Sequence, residues 1–298
     1  MTDDRMNQMK LAVLPERGVV EVCGRDAAKL LQGLITNDIE SLKTPRHALY
    51  AALLTPQGKL LFDFIMVRRD GGFLLDAPLS RTPDVVKRLT MYKLRAEVSI
   101  TDVSDQWKIA AAWGSADAPN LSIAGSIVVA DPRLAELGLR IFLPASALNS
   151  LKACVPESEY HVHRITCGVP ECGRDYDSND IFPHEAMLDQ LRGVSFEKGC
   201  FVGQEIVSRM EHRGTARRRI VPVIAEIPLP GRGAEVRAGD VVIGTMGTSA
   251  GARGLALIRL DRAAEFREKA IPLTVEGTPV RIELPKWAKI KPTSEPQS

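Results

Sequence analysis

The sequence lacks both kinds of apolar segment that would place it in or across a membrane. No stretch approaches the roughly 18 uninterrupted apolar residues of a transmembrane helix, and the first ten residues, MTDDRMNQMK, contain no apolar signal-peptide core. The same ten residues carry two acids, whereas organellar transit peptides are poor in acids. These absences predict a soluble, cytoplasmic protein with no membrane partner.

Cysteine is scarce and irregularly spaced, which argues against a disulfide framework. The five cysteines are an odd number, and without an export signal they are expected to be reduced. The candidate metal ligands are Cys167, Cys172 and Cys200 with His161 and His163, but their spacing does not give the two close pairs of a structural zinc site. We therefore predict no permanently bound metal.

A strong net charge is also missing. The chain holds 39 basic and 37 acidic residues, a formal charge of +2. The one dense basic run, HRGTARRR at residues 212–219, has no interleaved aromatic residues for base stacking, so it could bind a polyanion or form a solvated edge strand, and nucleic acid is not an expected partner. No GxGxxG, Walker A or Ser-His-Asp pattern occurs in a usable context, which excludes the matching enzyme classes.

The pattern of apolar residues predicts an α+β protein. A strand at GVVEVC and a helix opened by Asp26 precede three apolar runs, which the turn sequences TPQGK and RDGG join into an antiparallel meander. A similar order recurs from Trp107, and short β-prone runs after Arg219 predict a small all-β barrel. Further helices are predicted from Thr82, near residues 146–155, at 157–168 and at 183–191. The predicted domains are two similar α+β units at residues 1–105 and 106–215, a C-terminal β-barrel at 216–288 and a disordered tail at 289–298.

The stretch KGCFVGQE, residues 198–205, offers the clearest chemical group. Cys200 is reactive only as a thiolate, and Lys198 with the backbone N–H groups of Gly199 and Gly203 would favour that form. The alternative is a small residue packed under a turn, since no histidine in the motif could serve as its base. The residues alone leave both interpretations open.

Short polar residues stand at two further places. Thr36, Asn37 and Asp38 follow the first helix, where a self-capping turn is favoured over a ligand contact. Asp63 lies inside the apolar run LLFDFIMV, where a carboxylate needs a partner, a ligand or a solvent-facing position. Strand alternation offers the simpler account that Asp63 points outward.

The order of these motifs resembles one known family. QGLITNDI at residues 32–39, RITCGVPECG at 164–173 and FPHEAMLDQLRGVSFEKGCFVGQEIVSRMEHRG at 182–214 precede a β-rich segment. This succession resembles the YgfZ-type folate-binding proteins, a branch of the family of the glycine cleavage T-protein, the tetrahydrofolate-dependent aminomethyltransferase. The similarity extends over nearly the whole chain, and the KGC-aromatic-x-GQE string is the most specific part of it.

The resemblance implies a fold and a function. The fold is a pair of similar α+β units whose antiparallel sheets form a central folate channel, followed by a small barrel. The function is that of a monomeric, tetrahydrofolate-binding accessory factor for iron–sulfur cluster assembly or repair, which works with the assembly machinery or its client enzymes. A folate-dependent aminomethyltransferase or demethylase is the alternative.

The resemblance also implies a set of site residues. Cys200 is the functional thiol, and it could ligate a cluster transiently together with a partner's thiols. The expected folate contacts are Asn37, Asp38, Asp63, Lys198, Gly199, Gly203, Gln204, Glu205 and Arg209. Two departures from the aminomethyltransferases weaken the enzymatic alternative: Phe62 replaces one of two paired acids, and Thr166 replaces a glutamate. Aminomethyl transfer needs a carboxylate near the reacting folate nitrogen, whereas we expect folate binding to be retained.

Overall fold

The chain sorts into two compact units. The computed structural model describes residues 9–42, 47–114, 121, 123–151, 154–213 and 216–290. Unit 1 comprises residues 1–55, 61–160 and 191–202, and unit 2 comprises residues 56–60, 161–190 and 203–298. The strands on either side of the predicted boundary at residue 105 belong to the same unit, and the three-domain division stays a prediction. Most of the tail predicted at 289–298 lies outside the described residues.

The first sheet of unit 1 is the predicted meander with two added strands. Its strands are β2 (Arg17–Cys23), β3 (Ala48–Leu54), β4 (Leu60–Arg69), β5 (Gly72–Pro78) and β6 (Ser99–Asp102), in the order β3-β4-β5-β2-β6. The turn Asp70-Gly71 joins β4 to β5, and Gly71 adopts a φ of +79° that other residues rarely take. The turn chemistry in the sequence therefore specified this antiparallel pairing.

The second sheet of unit 1 combines the start of the chain with later strands. Its strands are β1 (Lys10–Val13), β7 (Trp107–Trp113), β8 (Ile127–Ala130) and β9 (Leu139–Pro144), in the order β1-β7-β9-β8. β1 runs antiparallel to β7, and Leu11 lies opposite Ala112. A strand from the predicted first domain thus completes the sheet of the predicted second domain.

Two helices pack on the first sheet. They are α1 (Ala27–Gln32), which ends at Gly33 as predicted, and α2 (Thr82–Lys93). Val85 and Leu89 of α2 are fully buried in the core with Phe64 and Phe73, and each such side chain contributes about 1.5–3 kcal/mol through burial. The predicted N-cap is displaced by one residue, because Arg81 is the cap and Thr82 begins the helix. The helix predicted near 146–155 is a 3-10 helix at Ala145–Ser150, and residues 152–153 of that prediction lie outside the described residues.

Unit 2 contains the predicted barrel. Its strands are β10 (Arg218–Ile224), β11 (Glu235–Ala238), β12 (Val241–Ala250), β13 (Arg253–Arg259), β14 (Leu273–Val275) and β15 (Thr278–Ile282), closed in the order β10-β13-β12-β11-β14-β15. The helices that complete the chain are α3 (Glu157–Cys167), α4 (Gln204–Arg213) and α5 (Leu260–Glu268). The α+β class with antiparallel sheets and a closed C-terminal barrel is thereby confirmed. No helix in the described part of the chain is both long and apolar enough to cross a membrane.

Two local predictions are wrong. The segment after Arg219 is not all-β, because α5 interrupts it, with Glu265 paired to Arg262 and Lys269 on one helix face. The helix predicted at 183–191 is a series of turns in which Met187 has a φ of +65°. Residues 183–188 are all buried, so tertiary packing on every side, rather than an amphipathic face, decides this conformation.

Candidate functional site

The Cys200 loop displays its thiol to solvent between two buried anchors. Cys200 and Gly199 are exposed. The residues on either side are nearly covered, since Lys198 is 8% and Phe201 7% exposed. The interpretation of Cys200 as a small residue packed under a turn is therefore wrong. A loop held at both ends keeps the sulfur in a defined place while leaving it accessible.

Lys198 is a clamp that fastens this loop to the turn after α1. Its ammonium group donates to the carbonyl oxygens of Gln32, Ile35 and Asn37 at 2.6, 2.8 and 3.0 Å. Burial lowers the pKa of Lys198 to about 8, an effect that the nearby Asp38 carboxylate opposes. All three ammonium protons are engaged by backbone oxygens, so this side chain serves the loop's structure and does not fit a direct contact with folate.

The polar residues after α1 form the rest of this support. The Asn37 amide donates to the carbonyl oxygens of Tyr50 at 2.8 Å and Arg192 at 2.7 Å. Asp38 accepts from the Gln32 amide at 2.9 Å, and its other contacts cap the following turn. Both side chains, predicted as folate contacts, are engaged within the protein. Asp38 caps its own turn, as the self-capping interpretation expects, whereas the Asn37 amide holds β3 and the segment before Cys200 to that turn.

Asp63 is buried, so the account in which it points outward is wrong. Its side chain belongs to β4, six of whose residues in succession are buried, and Asp63 is 4% exposed. The Tyr50 hydroxyl donates to Asp63 Oδ2 at 2.8 Å. Alternation fails here because β4 is covered on both faces, which is typical of a strand between two layers.

Beyond Asp63, unit 1 contains buried ion pairs that the sequence did not predict. Arg133 lies over the Tyr50 ring, 5.8 Å from its centroid, and donates to Asp131 at 2.9 and 2.7 Å. Burial alone would raise the pKa of Asp131, but the Arg133 guanidinium holds it below its ordinary value. Arg133 also donates to the Tyr160 hydroxyl at 3.0 Å. The surroundings of Tyr50 are therefore polar and ordered.

A second buried ion pair, Arg140 with Asp76, contacts the same Tyr160 hydroxyl. Arg140 donates to the Tyr160 hydroxyl at 3.2 Å and to Asp76 at 2.6 Å, and Arg17 donates to the other Asp76 oxygen at 2.6 Å. Asp76 and Arg140 are almost completely buried. The sequence did contain a sign of this pair. Asp76 in FLLDAP and Arg140 in LGLRIFLP are single charged residues within apolar runs, as Asp63 is, and a buried charge needs a partner.

The second half of the signature string lies in unit 2. The boundary between the units falls between Val202 and Gly203. Gly203 has a φ of +83° and precedes α4, which begins at Gln204. Glu205 and Arg209 are exposed and four residues apart on that helix. Within unit 1, hydrogen bonds that run through Gln32 and Tyr50 connect Asn37, Asp38, Asp63 and Lys198. Gly203, Gln204, Glu205 and Arg209 belong to the other unit.

The arginine of the RITCGVPECG motif in unit 2 forms a buried ion pair. Arg164 is fully buried and donates to Asp175 at 2.6 Å, to the Val169 carbonyl at 2.8 Å and to Thr248 at 3.0 Å. Burial lowers the pKa of the neighbouring His161 to about 4, so this imidazole is neutral at physiological pH. The motif thus joins α3 to the barrel strand β12.

Two family models match the chain. The model of the GCVT N-terminal domain matches residues 14–121, and that of the CAF17 C-terminal beta-barrel domain matches residues 217–290. Among solved structures, the glycine cleavage system aminomethyltransferase T from Bartonella henselae is similar with a TM-score of 0.76 over 96% of this chain and 88% of that one. At 16% identity this likeness concerns the fold alone.

Curated relatives are more similar in sequence. The chain is 32% identical to the human iron-sulfur cluster assembly factor IBA57, mitochondrial, over 80% of this chain and 72% of that protein. It is 39% identical to the IBA57 homologue of Mycosarcoma maydis over 74% of this chain, but spans only 58% of that protein's length. These relatives are mitochondrial by name, so the predicted cytoplasmic location is contradicted. That prediction rested on the composition of the first ten residues alone.

Proposed function

Since the chain belongs to the family of the iron–sulfur cluster assembly factor IBA57, we propose that it acts in iron–sulfur cluster assembly with Cys200 as its functional thiol. The observation that supports this most directly is the exposure of Cys200 between two buried anchors. Phe196, four residues before it, is 41% exposed and offers an apolar contact for a protein partner. The partner on this proposal is a component of the assembly machinery or a client enzyme.

The proposed role of Cys200 is that of a cluster ligand. Iron–sulfur clusters are held by cysteine thiolates, and a single cysteine cannot supply the usual set of four. The cluster, as cargo, would therefore be shared with thiolates of the partner. On ligation the Cys200 thiol would lose its proton to water, and its sulfur would bond to one iron as the ligand it replaces leaves that iron with its own electron pair, so the oxidation states stay unchanged. Lys198 and Phe201 hold the backbone on either side during this exchange.

Tetrahydrofolate binding is a second part of the proposal. Asn37, Asp38 and Lys198 do not fit as direct contacts, because their polar atoms hold the chain together. Asp63 fits better, since a buried carboxylate beside the Tyr50 hydroxyl can accept a hydrogen bond from an N–H group of a pterin ring. Bound tetrahydrofolate would supply a nitrogen that carries one-carbon groups.

The thiol proposal is tested by Cys200→Ser with Cys154→Ser as matched control, because both cysteines are exposed. The readout is the activity of a cluster-dependent enzyme in cells that lack the wild-type protein. We expect the Cys200 variant to lose support of that enzyme and the Cys154 variant to retain it. Equal support by both variants would contradict the assignment.

The folate proposal is tested by anaerobic calorimetric titration with tetrahydrofolate. We expect micromolar affinity, about −8 kcal/mol, and weaker binding by Asp63→Asn, with the exposed turn residue Asp70→Asn as control. If titration of the wild type produced no heat of binding, the folate proposal would be refuted and the thiol proposal would be unaffected. Turnover of an N-methyl or aminomethyl donor would instead support the transferase alternative.

A further inference from the structure

Unit 2 contains a cleft of about 1100 Å³ beside the barrel. One wall is a face of α5 formed by Leu260, Ala263, Ala264 and Arg267, which follow the i, i+3, i+4, i+7 spacing of a helix. The strand residues Leu273, Val280 and Ile282 contribute further apolar surface. Pockets for small ligands have about 300–1,000 Å³ and mostly apolar linings, so this cleft is large enough for such a molecule.

The polar floor of the cleft does not favour a metal ion. His184, Asp189 and Glu211 are a trio with suitably close ligand atoms among the residues that the structure describes. Both Asp189 oxygens, however, accept hydrogen bonds from Arg219, at 2.8 and 2.9 Å. His184 Nε2 lies 3.1 Å from Glu211. The Arg219 guanidinium already occupies the place of a cation beside Asp189, and the Glu211 carboxylate contacts His184.

The rim of the cleft carries two positive side chains that have no acidic partner among the described residues. Arg267 and Lys289 both line the cleft and are exposed. Neither side chain forms a salt bridge within the described ranges, whereas Arg262 and Lys269 of the same region both pair with Glu265. Two uncompensated cations beside an apolar wall attract an anionic group attached to an apolar body.

We propose that this cleft is a binding site for a small anionic amphiphile, a carboxylate or phosphate carried on an apolar or aromatic body. The apolar part lies against Ala264 and the barrel strands, and the anion pairs with Arg267 and Lys289. Every residue invoked belongs to unit 2, so the site is independent of Cys200 and Asp63 and goes beyond the function proposed above.

The probe for this site is 1-anilinonaphthalene-8-sulfonate, whose fluorescence rises in apolar surroundings. We expect saturable binding to the wild type, weakened roughly tenfold or more in Arg267→Glu/Lys289→Glu. Arg262→Glu/Arg237→Glu makes the same change in net charge at residues that do not line the cleft and is expected to bind like the wild type. Asp63→Asn should also bind normally, which separates this site from the proposed folate contact.

Two further measurements test the apolar half of the site. Ala264→Trp fills the cleft without changing charge and should weaken the probe comparably, with thermal unfolding as the check that the fold persists. N-phenyl-1-naphthylamine, the same body without the sulfonate, should bind at least several-fold more weakly. Equal affinity of the two charge-reversal pairs, equal affinity of the two probes, or indifference to Ala264→Trp would each overturn the proposal.

Discussion

Two of the motifs that carry the family resemblance serve opposite purposes. KGCFVGQE presents its cysteine to solvent and uses its lysine to hold the loop. RITCGVPECG buries its arginine in an ion pair with Asp175 and ties α3 to the barrel. Both strings are recognisable as sequence, and the first is the more specific of the two. The exposure of the reactive atom, which a string of letters does not show, distinguishes the motif that offers chemistry from the one that supports the fold.

Among the residues of the two motifs, the largest loss of stability is expected on substitution of Arg164. Arg164→Ala leaves the buried Asp175 carboxylate without its cation, so we expect a loss of about 3–5 kcal/mol in the free energy of unfolding, measured by urea titration. The exposed Arg262→Ala should cost less than about 0.5 kcal/mol. A loss below about 1 kcal/mol for Arg164→Ala would mean that the ion pair does not stabilise unit 2.

At Lys198 the expected loss is smaller. Lys198→Met leaves three carbonyl oxygens without donors, which should cost about 2 kcal/mol of unfolding free energy, whereas the exposed Lys29→Met should be nearly neutral.

Lys198 also makes stability depend on pH. Because the pKa of Lys198 is about 8 in the folded chain and 10.5 ordinarily, the unfolded chain binds more protons between these values. The lysine therefore makes wild-type stability rise with pH across that window, and Lys198→Met should lose this rise.

His161, which lies three residues before RITCGVPECG, makes stability depend on pH in a lower range. The pKa of His161 is about 4 in the folded chain and 6.5 ordinarily, so the unfolded chain binds the extra proton between pH 4 and 6.5. Stability should therefore fall as pH drops from 6.5 to 4, and His161→Gln should flatten this part of the curve. His212→Gln, at an exposed histidine, is the control, and identical curves for both variants would refute the assignment.

The smallest effect on stability is expected at Cys200. Cys200→Ser should change the free energy of unfolding by less than about 0.5 kcal/mol, because its side chain is exposed. In native alkylation with iodoacetamide, Cys200 and Cys154 should react before Cys172, which is 6% exposed. Slow labelling of Cys200 would mean that the loop is covered in solution.

Local signals were enough for much of the fold. The turns around Gly58 and Gly71 and the strand patterns predicted the meander, and the short runs after Arg219 predicted the barrel. The segment 183–191 failed because a proline start and apolar spacing suggest a helix, whereas burial on all sides selects turns. α5 was missed although its Glu265 and Lys269 stand four residues apart, a helical spacing.

The site was predictable only in part. Cys200 stood out because of its glycines and its lysine, but its exposure depends on where Lys198 and Phe201 are anchored. Asp63 could not be placed from its own strand, because β4 is covered on both faces. A distant strand likewise supplies Asp76, the buried partner of Arg140. Contacts between residues far apart in sequence leave no local periodicity.

The pairing of β1 with β7 has a consequence for synthesis on the ribosome. Leu11 meets Ala112 only after about 100 further residues have been made, which at about 5–20 residues per second takes roughly 5–20 s. Closing a loop of that length costs about 4 kcal/mol of chain entropy. During that interval the apolar side chains of β1 have no partner strand, so the second sheet of unit 1 forms only after β7 has been made.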